Sequence, residues 1–204
     1  MKVFSQTPVR RNAMTSEQID YMTKSGLLFL DKKRRHSHFD AANTLKFTAF
    51  IPVVLFVVFI IKDGFDKLGT LAIVCTVMAA VLLLASYLIY KSQQSKLRLT
   101  TFETGISKSD NYILTKKILE ILQWKIKEDT SDFIEAYNPH RDIRTWGYEM
   151  ISIVLLDNQI LLNSICNLDT LNQSGFSFGK NQENVDIFIT KFQVIRQDEK
   201  LQSA

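Results

Sequence analysis

The residues best suited to bind a ligand are basic and aromatic side chains in two parts of the chain. Four consecutive cations precede a long apolar stretch, and two arginines and a tryptophan lie in a polar loop between residues 138 and 149. Arginine binds anionic oxygens with two parallel hydrogen bonds, an indole ring offers a platform, and each basic residue near an anionic membrane surface contributes about 1 kcal/mol. The predicted anion- or lipid-binding residues are Lys32, Lys33, Arg34, Arg35, Arg141, Arg144 and Trp146.

Both groups also have an ordinary explanation, which we favour. A basic cluster beside a membrane segment commonly does no more than set the topology of that segment. Charged loops are common on protein surfaces, and the tryptophan can fill the core beneath an exposed crossover loop. The anion-binding interpretation is therefore the alternative for both groups.

The other reactive side chains do not match the spacing of a known catalytic or metal site. His36 and His38 stand two apart without further ligands nearby, and Cys75 and Cys166 lack the spacing of a metal site. Lys180 precedes a predicted helix, but no glycine-rich phosphate-binding motif surrounds it. The sequence predicts no catalytic residue, no metal and no cofactor.

The positive charge of the chain is local. Residues 1–46 hold nine Lys and Arg against four Asp and Glu, whereas residues from 91 onward hold fourteen against fifteen. A basic segment confined to the approach to an apolar stretch suits a membrane surface and gives no indication of a nucleic-acid partner.

Two apolar segments predict a hairpin of transmembrane helices, with the lipid bilayer as partner. Residues 41–61 and 68–90 are long enough to cross a hydrocarbon core of about 30 Å, and Pro52 is expected to bend the first helix. The alternative, a helical hairpin buried in a soluble core, needs more protein around it than the rest of the chain supplies. Basic residues flank the outer ends, so both termini are predicted to be cytoplasmic.

Three small residues, Ala72, Thr76 and Ala80, lie four apart in the second apolar segment. Such a seam lets helices approach closely, so these are the predicted helix-packing residues. Packing against the first helix of the same chain is the favoured interpretation, and an interface between copies of the chain is the alternative.

The polar ends predict a soluble α+β domain after the hairpin. Residues 99–195 alternate between strand and helix patterns that indicate a small antiparallel sheet, of about four strands, covered by two helices, and residues 196–204 form a tail. Residues 1–40 form a separate N-terminal segment with a short helix that begins at a capping pair, Thr15 and Gln18, and ends at Gly26. This helix is a candidate to lie on the inner leaflet.

Several short motifs in this domain carry a family resemblance. They are Trp146-Gly147, Asn163-Ser164-Ile165-Cys166, Phe178-Gly179-Lys180-Asn181 and Asn184. The pattern resembles a domain of uncharacterised membrane proteins from Bacteroidetes-type bacteria, which is sometimes found beside a rhomboid-like membrane domain. The resemblance implies a bacterial inner membrane and an undefined activity; a protease role does not follow, because the apolar segments hold no Ser–His pair.

The sequence thus favours a membrane-anchored, non-enzymatic module that binds a protein partner, or a second copy of the chain, at the cytoplasmic face of the membrane. The alternative is a tethered domain that binds a small anion or a lipid headgroup. An enzyme is the least favoured class, because function must be argued from a site and none is legible.

Overall fold

The computed structural model describes residues 13–63, 68–139, 149–166 and 180–202. Its helices are α1 (Ser16–Ser25), α2 (Lys32–His38), α3 (Asp40–Thr48), α4 (Phe50–Asp63), α5 (Leu68–Ser95), α6 (Lys108–Ile121) and α7 (Lys180–Gln202). Its strands are β1 (Thr100–Glu103), β2 (Lys125–Asp129), β3 (Phe133–Tyr137), β4 (Glu149–Leu155) and β5 (Gln159–Cys166).

The strands form one antiparallel sheet in the order β1-β5-β4-β3-β2. The predicted α+β class with an antiparallel sheet is confirmed, although the sheet has five strands where about four were expected. Local signals set the ends of several elements. Ser107 caps α6 through Asp110, and Asn158 adopts a left-handed φ of 65° in the tight turn between β4 and β5.

One face of the sheet is covered by α6 and α7, as the amphipathic patterns predict. Even-numbered residues of β5 and odd-numbered residues of β4 point to this face, where Ile118, Ile153 and Phe188 are fully buried. This cluster is the larger of two apolar cores, and α7 packs against the middle of the sheet through Phe192.

The second face is covered by the N-terminal segment, which the sequence analysis had treated as separate from the domain. Met22 of α1 is fully buried, and Leu28 packs with it against Phe133, Val154 and Leu161. Every residue of β4 is buried, so a strand of this kind needs cover on both faces. The helix α1 itself is as expected, with a capping box at Thr15 and a left-handed C-cap at Gly26.

Two helical stretches, Asp40–Val58 and Ala72–Ser95, are long and apolar enough to cross a membrane. They form an antiparallel pair, here called the apolar hairpin (α3 and α4 against α5). The first is interrupted at Ala49, three residues before Pro52, whose ring disfavours a regular turn at that point. The first helical stretch is thus interrupted within one turn of Pro52.

The contact between the two halves of the hairpin differs from the predicted seam. Ala72 is partly covered, but Thr76 and Ala80 are exposed. The covered stripe continues instead through partly buried side chains one position earlier, at Cys75 and Ala79, and then through Ser86, whose hydroxyl donates to the carbonyl of Ala42 at 2.8 Å. The packing of α5 on its own chain thus leaves Thr76 and Ala80 on another face.

Replacing Met22 by alanine should destabilise the domain, because it leaves a cavity between α1 and the sheet. We expect a loss of about 2–5 kcal/mol in the free energy of unfolding, measured in detergent by denaturant titration of the full chain. Tyr21→Ala, at a neighbouring side chain that is 46% exposed, serves as the control and should cost about 1 kcal/mol or less. Equal small losses for both variants would show that the N-terminal segment is not part of the domain.

Candidate functional site

The predicted basic cluster is divided between solvent and the protein interior. Lys32, Lys33 and Arg35 are exposed on α2, whereas Arg34 is 7% exposed. The guanidinium of Arg34 donates to both carboxylate oxygens of Glu135 on β3, at 2.7 and 2.9 Å. Arg34 is therefore committed to a buried ion pair, and its predicted role in binding an external anion is corrected.

A third charge borders this pair. The ammonium of Lys127 on β2 lies 3.7 Å from Oε2 of Glu135, the oxygen that also accepts from Nη2 of Arg34. Burial lowers the pKa of Lys127, with the nearby Arg34 acting in the same direction and Glu135 opposing both. Two cations thus share one buried carboxylate, which compensates the cost of taking these charges out of water.

The Arg34–Glu135 pair joins the apolar hairpin to the sheet at its first crossing. Arg34 precedes the hairpin by six residues, and Glu135 lies in the middle of β3. Because a bidentate pair fixes both distance and orientation, α2 cannot turn on the sheet without breaking it. We call this contact the first junction.

A second junction holds the chain where it returns from the hairpin. Helix α5 continues to Ser95, and the residues that follow it are held by hydrogen bonds. The side-chain amide of Asn163 donates to the carbonyls of Lys96 and Arg98 at 2.9 and 2.6 Å. Leu97 and Leu99 also exchange backbone hydrogen bonds with Leu28 and Gly26 of the N-terminal segment.

A buried histidine lies beside these junctions. His38, 2% exposed, shares a 2.9 Å hydrogen bond between its Nε2 and the carbonyl of Gln93 on α5. Nδ1 of His38 and the two polar side-chain atoms of Gln93, Oε1 and Nε2, have no hydrogen-bond partner within the described ranges. Burial lowers the pKa of His38, the hydrogen bond to Gln93 partly offsets this, and Lys96 adds to the lowering. The imidazole is therefore neutral near pH 7.

Residues of the family-like motifs meet at the end of β5. Asn184 on α7 donates to a carboxylate oxygen of Glu149 at 2.5 Å and approaches the Ser164 hydroxyl at 3.2 Å. All three side chains are buried, so this polar cluster holds α7 against β4 and β5. Within the part of the chain that the structure describes, no three His, Cys, Asp or Glu side chains converge to hold a metal ion.

A polar cavity of about 340 Å³ opens between the second junction and the start of α7. Its walls come from the end of α5, the first residues of β1, the edge of β5 and the first turns of α7. It is lined by Ser95, Lys96, Arg98, Leu99, Thr100, Asn163, Ser164, Asn181, Gln182 and Val185. We call it the junction cavity.

The structure places the predicted site residues in three groups. Lys32, Lys33 and Arg35 stay together on the exposed side of α2, Arg34 is withdrawn into the first junction, and Arg141, Arg144 and Trp146 lie outside the described residues. Sequence reasoning missed Lys96 and Arg98 as site residues, having counted them only as flanking charges. The signal available was their position directly after the second apolar segment.

Comparison with protein-family models, with curated proteins and with solved structures gives no match for this chain.

Replacing Arg34 by methionine should cost about 3–5 kcal/mol in the free energy of unfolding, since it leaves the buried Glu135 without its bidentate partner. The double variant Arg34→Met/Glu135→Leu should recover most of this loss, because apolar side chains of similar size replace the pair. Denaturant titration in detergent measures both, with Lys33→Met on the exposed side of α2 as control, expected within about 0.5 kcal/mol of the parent. Equal losses in the single and double variants would contradict a paired site.

Replacing His38 by asparagine should reduce the acid sensitivity of the protein. The pKa of His38 is lower in the folded chain than its usual 6.5, so its stability contribution is complete above that pH and falls as the pH drops toward the folded pKa. We expect a smaller fall in Tm between about pH 7.5 and about pH 5.5 for His38→Asn than for the parent. His36→Asn, at an exposed position, should match the parent; an unchanged pH dependence in His38→Asn would exclude this role.

Proposed function

We infer that the protein is a membrane-anchored, non-enzymatic module that holds its folded domain in a fixed orientation at the cytoplasmic face of a bilayer. The apolar hairpin spans the bilayer in this proposal, and both ends of the chain lie on the cytoplasmic side. The single observation that carries it is the pair of junctions, because each chain crossing between hairpin and sheet is held by buried contacts.

Exposure supports the membrane part of the proposal. Only 17% and 6% of the two apolar windows are buried inside the structure, and side chains such as Phe47 and Ile73 are 73% and 65% exposed. The core helix of a soluble protein would be mostly covered by its own chain. An apolar surface of this extent needs lipid or another protein around it. The family resemblance adds the bacterial inner membrane as the expected location.

The outer surface of the domain supports a protein partner. A groove of about 780 Å³ runs between α6 and α7, and its apolar floor includes Ile121, Ile187 and Val194, which are 46%, 37% and 45% exposed. Glu183 and Asp186 lie on its rim with a single lysine, Lys191. These features suit an amphipathic helix that carries apolar residues on one side and basic residues on its flank.

A photo-crosslinking amino acid at Ile187 in the full membrane-bound chain tests this function. We expect one discrete crosslinked protein from native membranes, and Val194→Glu in the same chain should abolish it by placing a charge in the groove. The same probe at Glu17, on the exposed side of α1, is the control and should give no adduct. No discrete adduct at Ile187, or one that survives Val194→Glu, would contradict partner binding at this groove.

A small anion or lipid headgroup is the second candidate ligand class, and one observation favours it. The junction cavity brings Lys96 and Arg98 together beside polar side chains, at the end of the helix proposed to leave the bilayer. The exposed Lys32, Lys33 and Arg35 lie on α2, which leads into the same hairpin. This function is compatible with the first, because the groove and the cavity share only Gln182 among their lining residues.

A further inference from the structure

The apolar hairpin and the N-terminal segment enclose a pocket at their meeting point, which we call the boundary pocket. Its volume is about 230 Å³, and its walls come from α1, residues 27–30, α2 and the last turns of α5. Four leucines and four aromatic residues form most of the described lining, and the exposed side chains of Gln94 and Arg35 complete it. The pocket therefore combines a largely apolar interior with one cation.

Two of the aromatic rings place the pocket at the edge of the hairpin. Phe39 and Tyr90 pack with 4.8 Å between their ring centroids. Phe39 directly precedes the first apolar stretch, Asp40–Val58, and Tyr90 is followed by Lys91 and a polar run. Aromatic side chains, tyrosine in particular, are enriched at membrane–water interfaces. With the hairpin in the bilayer, this ring pair lies at the edge of the hydrocarbon core, and the boundary pocket lies beside it.

In the same placement, Arg35 lies at the depth of the lipid phosphates. It precedes Phe39 by four residues, which is about 6 Å along a helix. The headgroup region extends about 5–8 Å beyond each side of the hydrocarbon core. Arginine holds phosphate oxygens with two parallel hydrogen bonds, which suits this position. Arg34 is buried in the first junction, and Lys32 and Lys33 lie outside the lining, so Arg35 is the α2 cation that borders the pocket.

The chemistry of the lining favours a phospholipid over a soluble anion. Leu28 and Leu97 are 5% and 8% exposed, whereas Tyr21 and Tyr90 are 46% and 37% exposed. A small phosphate ester would neutralise the guanidinium but leave this apolar surface in water. The glycerol esters and first methylenes of a lipid would cover the surface, and burying apolar surface is favourable. A ligand that is anionic at one end and apolar at the other meets both demands.

We propose that the boundary pocket binds one anionic phospholipid of the surrounding bilayer, with its phosphate on Arg35 and its glycerol esters against Tyr90 and Leu97. The inference rests on the membrane placement proposed above and gives the second candidate function a ligand class and a site. The bound lipid contacts α1, α2 and α5 together, so it braces the hairpin against the N-terminal segment. Arg34 and Arg35 thus hold the same crossing from two sides, one from the interior of the domain and one from the lipid.

The test uses the full chain in nanodiscs of phosphatidylcholine and phosphatidylglycerol, followed by native mass spectrometry of the lipids that stay bound. The parent should retain phosphatidylglycerol in preference to phosphatidylcholine. Arg35→Gln should weaken this retention about fivefold, which is the contribution of one basic residue near an anionic surface. Gln94→Trp, which fills the pocket from an exposed position, should remove the lipid and leave the Tm in detergent at the parent value.

Each variant has a matched control outside the lining. Lys33→Gln removes the same charge from α2, and Ser92→Trp adds the same indole to α5, both at exposed positions. Both controls should retain the lipid as the parent does, because a charge on the open surface attracts lipids without holding one. Glycerol 3-phosphate, titrated into the detergent-solubilised chain by calorimetry, should give no saturable binding, because it lacks the apolar part.

Selective loss of lipid in Arg35→Gln and Gln94→Trp supports the proposal. Equal results for either variant and its control, loss in Gln94→Trp alone, or no preference for phosphatidylglycerol overturns it. Saturable binding of glycerol 3-phosphate assigns the pocket to a soluble ester, and a dimer that Gln94→Trp dissociates assigns it to a second copy of the chain; either result also overturns it. A parent protein that inserts into the nanodiscs but retains no phosphatidylglycerol refutes the pocket alone, whereas a protein that stays outside the nanodiscs refutes the membrane placement.

Discussion

The ion pair between Arg34 and Glu135 constrains the whole molecule. Both groups are withdrawn from water, so each is tolerable only while the other stays in bidentate contact. That requirement holds α2 against β3, and α2 leads directly into the apolar hairpin. The orientation of the hairpin relative to the sheet is therefore set by a buried electrostatic contact, and Asn163 sets it a second time where the chain returns.

The sheet is apolar on both faces because both faces are covered. Helices α6 and α7 cover one face, and the N-terminal segment covers the other with Met22 and Leu28. Residues 13–39 thus belong to the same folding unit as the described residues after the hairpin, and the hairpin is inserted into that unit. Residues 96–99, between α5 and β1, are held by backbone hydrogen bonds to Gly26 and Leu28 and by the side-chain amide of Asn163, so the hairpin joins the sheet through a bonded segment.

Local features of the fold were predictable, and contacts between distant residues were not. The capping box at Thr15, the cap at Ser107 and the interruption of the helix near Pro52 depend on neighbouring residues, so the sequence pattern indicates them directly. Arg34 looked like its exposed neighbours because its partner lies 101 residues away. The seam at Ala72, Thr76 and Ala80 followed from spacing, but the face that α5 turns toward α3 and α4 depends on how the helices cross, which spacing does not encode. The cavity escaped notice for the same reason, since its cations and Asn163 lie more than 60 residues apart.

The two junctions imply that hairpin and domain move as one body. Double electron–electron resonance in nanodiscs tests it most directly, with spin labels at Tyr87→Cys on α5 and Gln197→Cys on α7 in a chain whose Cys75 and Cys166 are replaced by alanine. We expect a single narrow distance distribution that broadens when Arg34→Met is added. A broad or multi-peaked distribution in the parent chain would contradict it and would indicate a domain that swings on a loose tether.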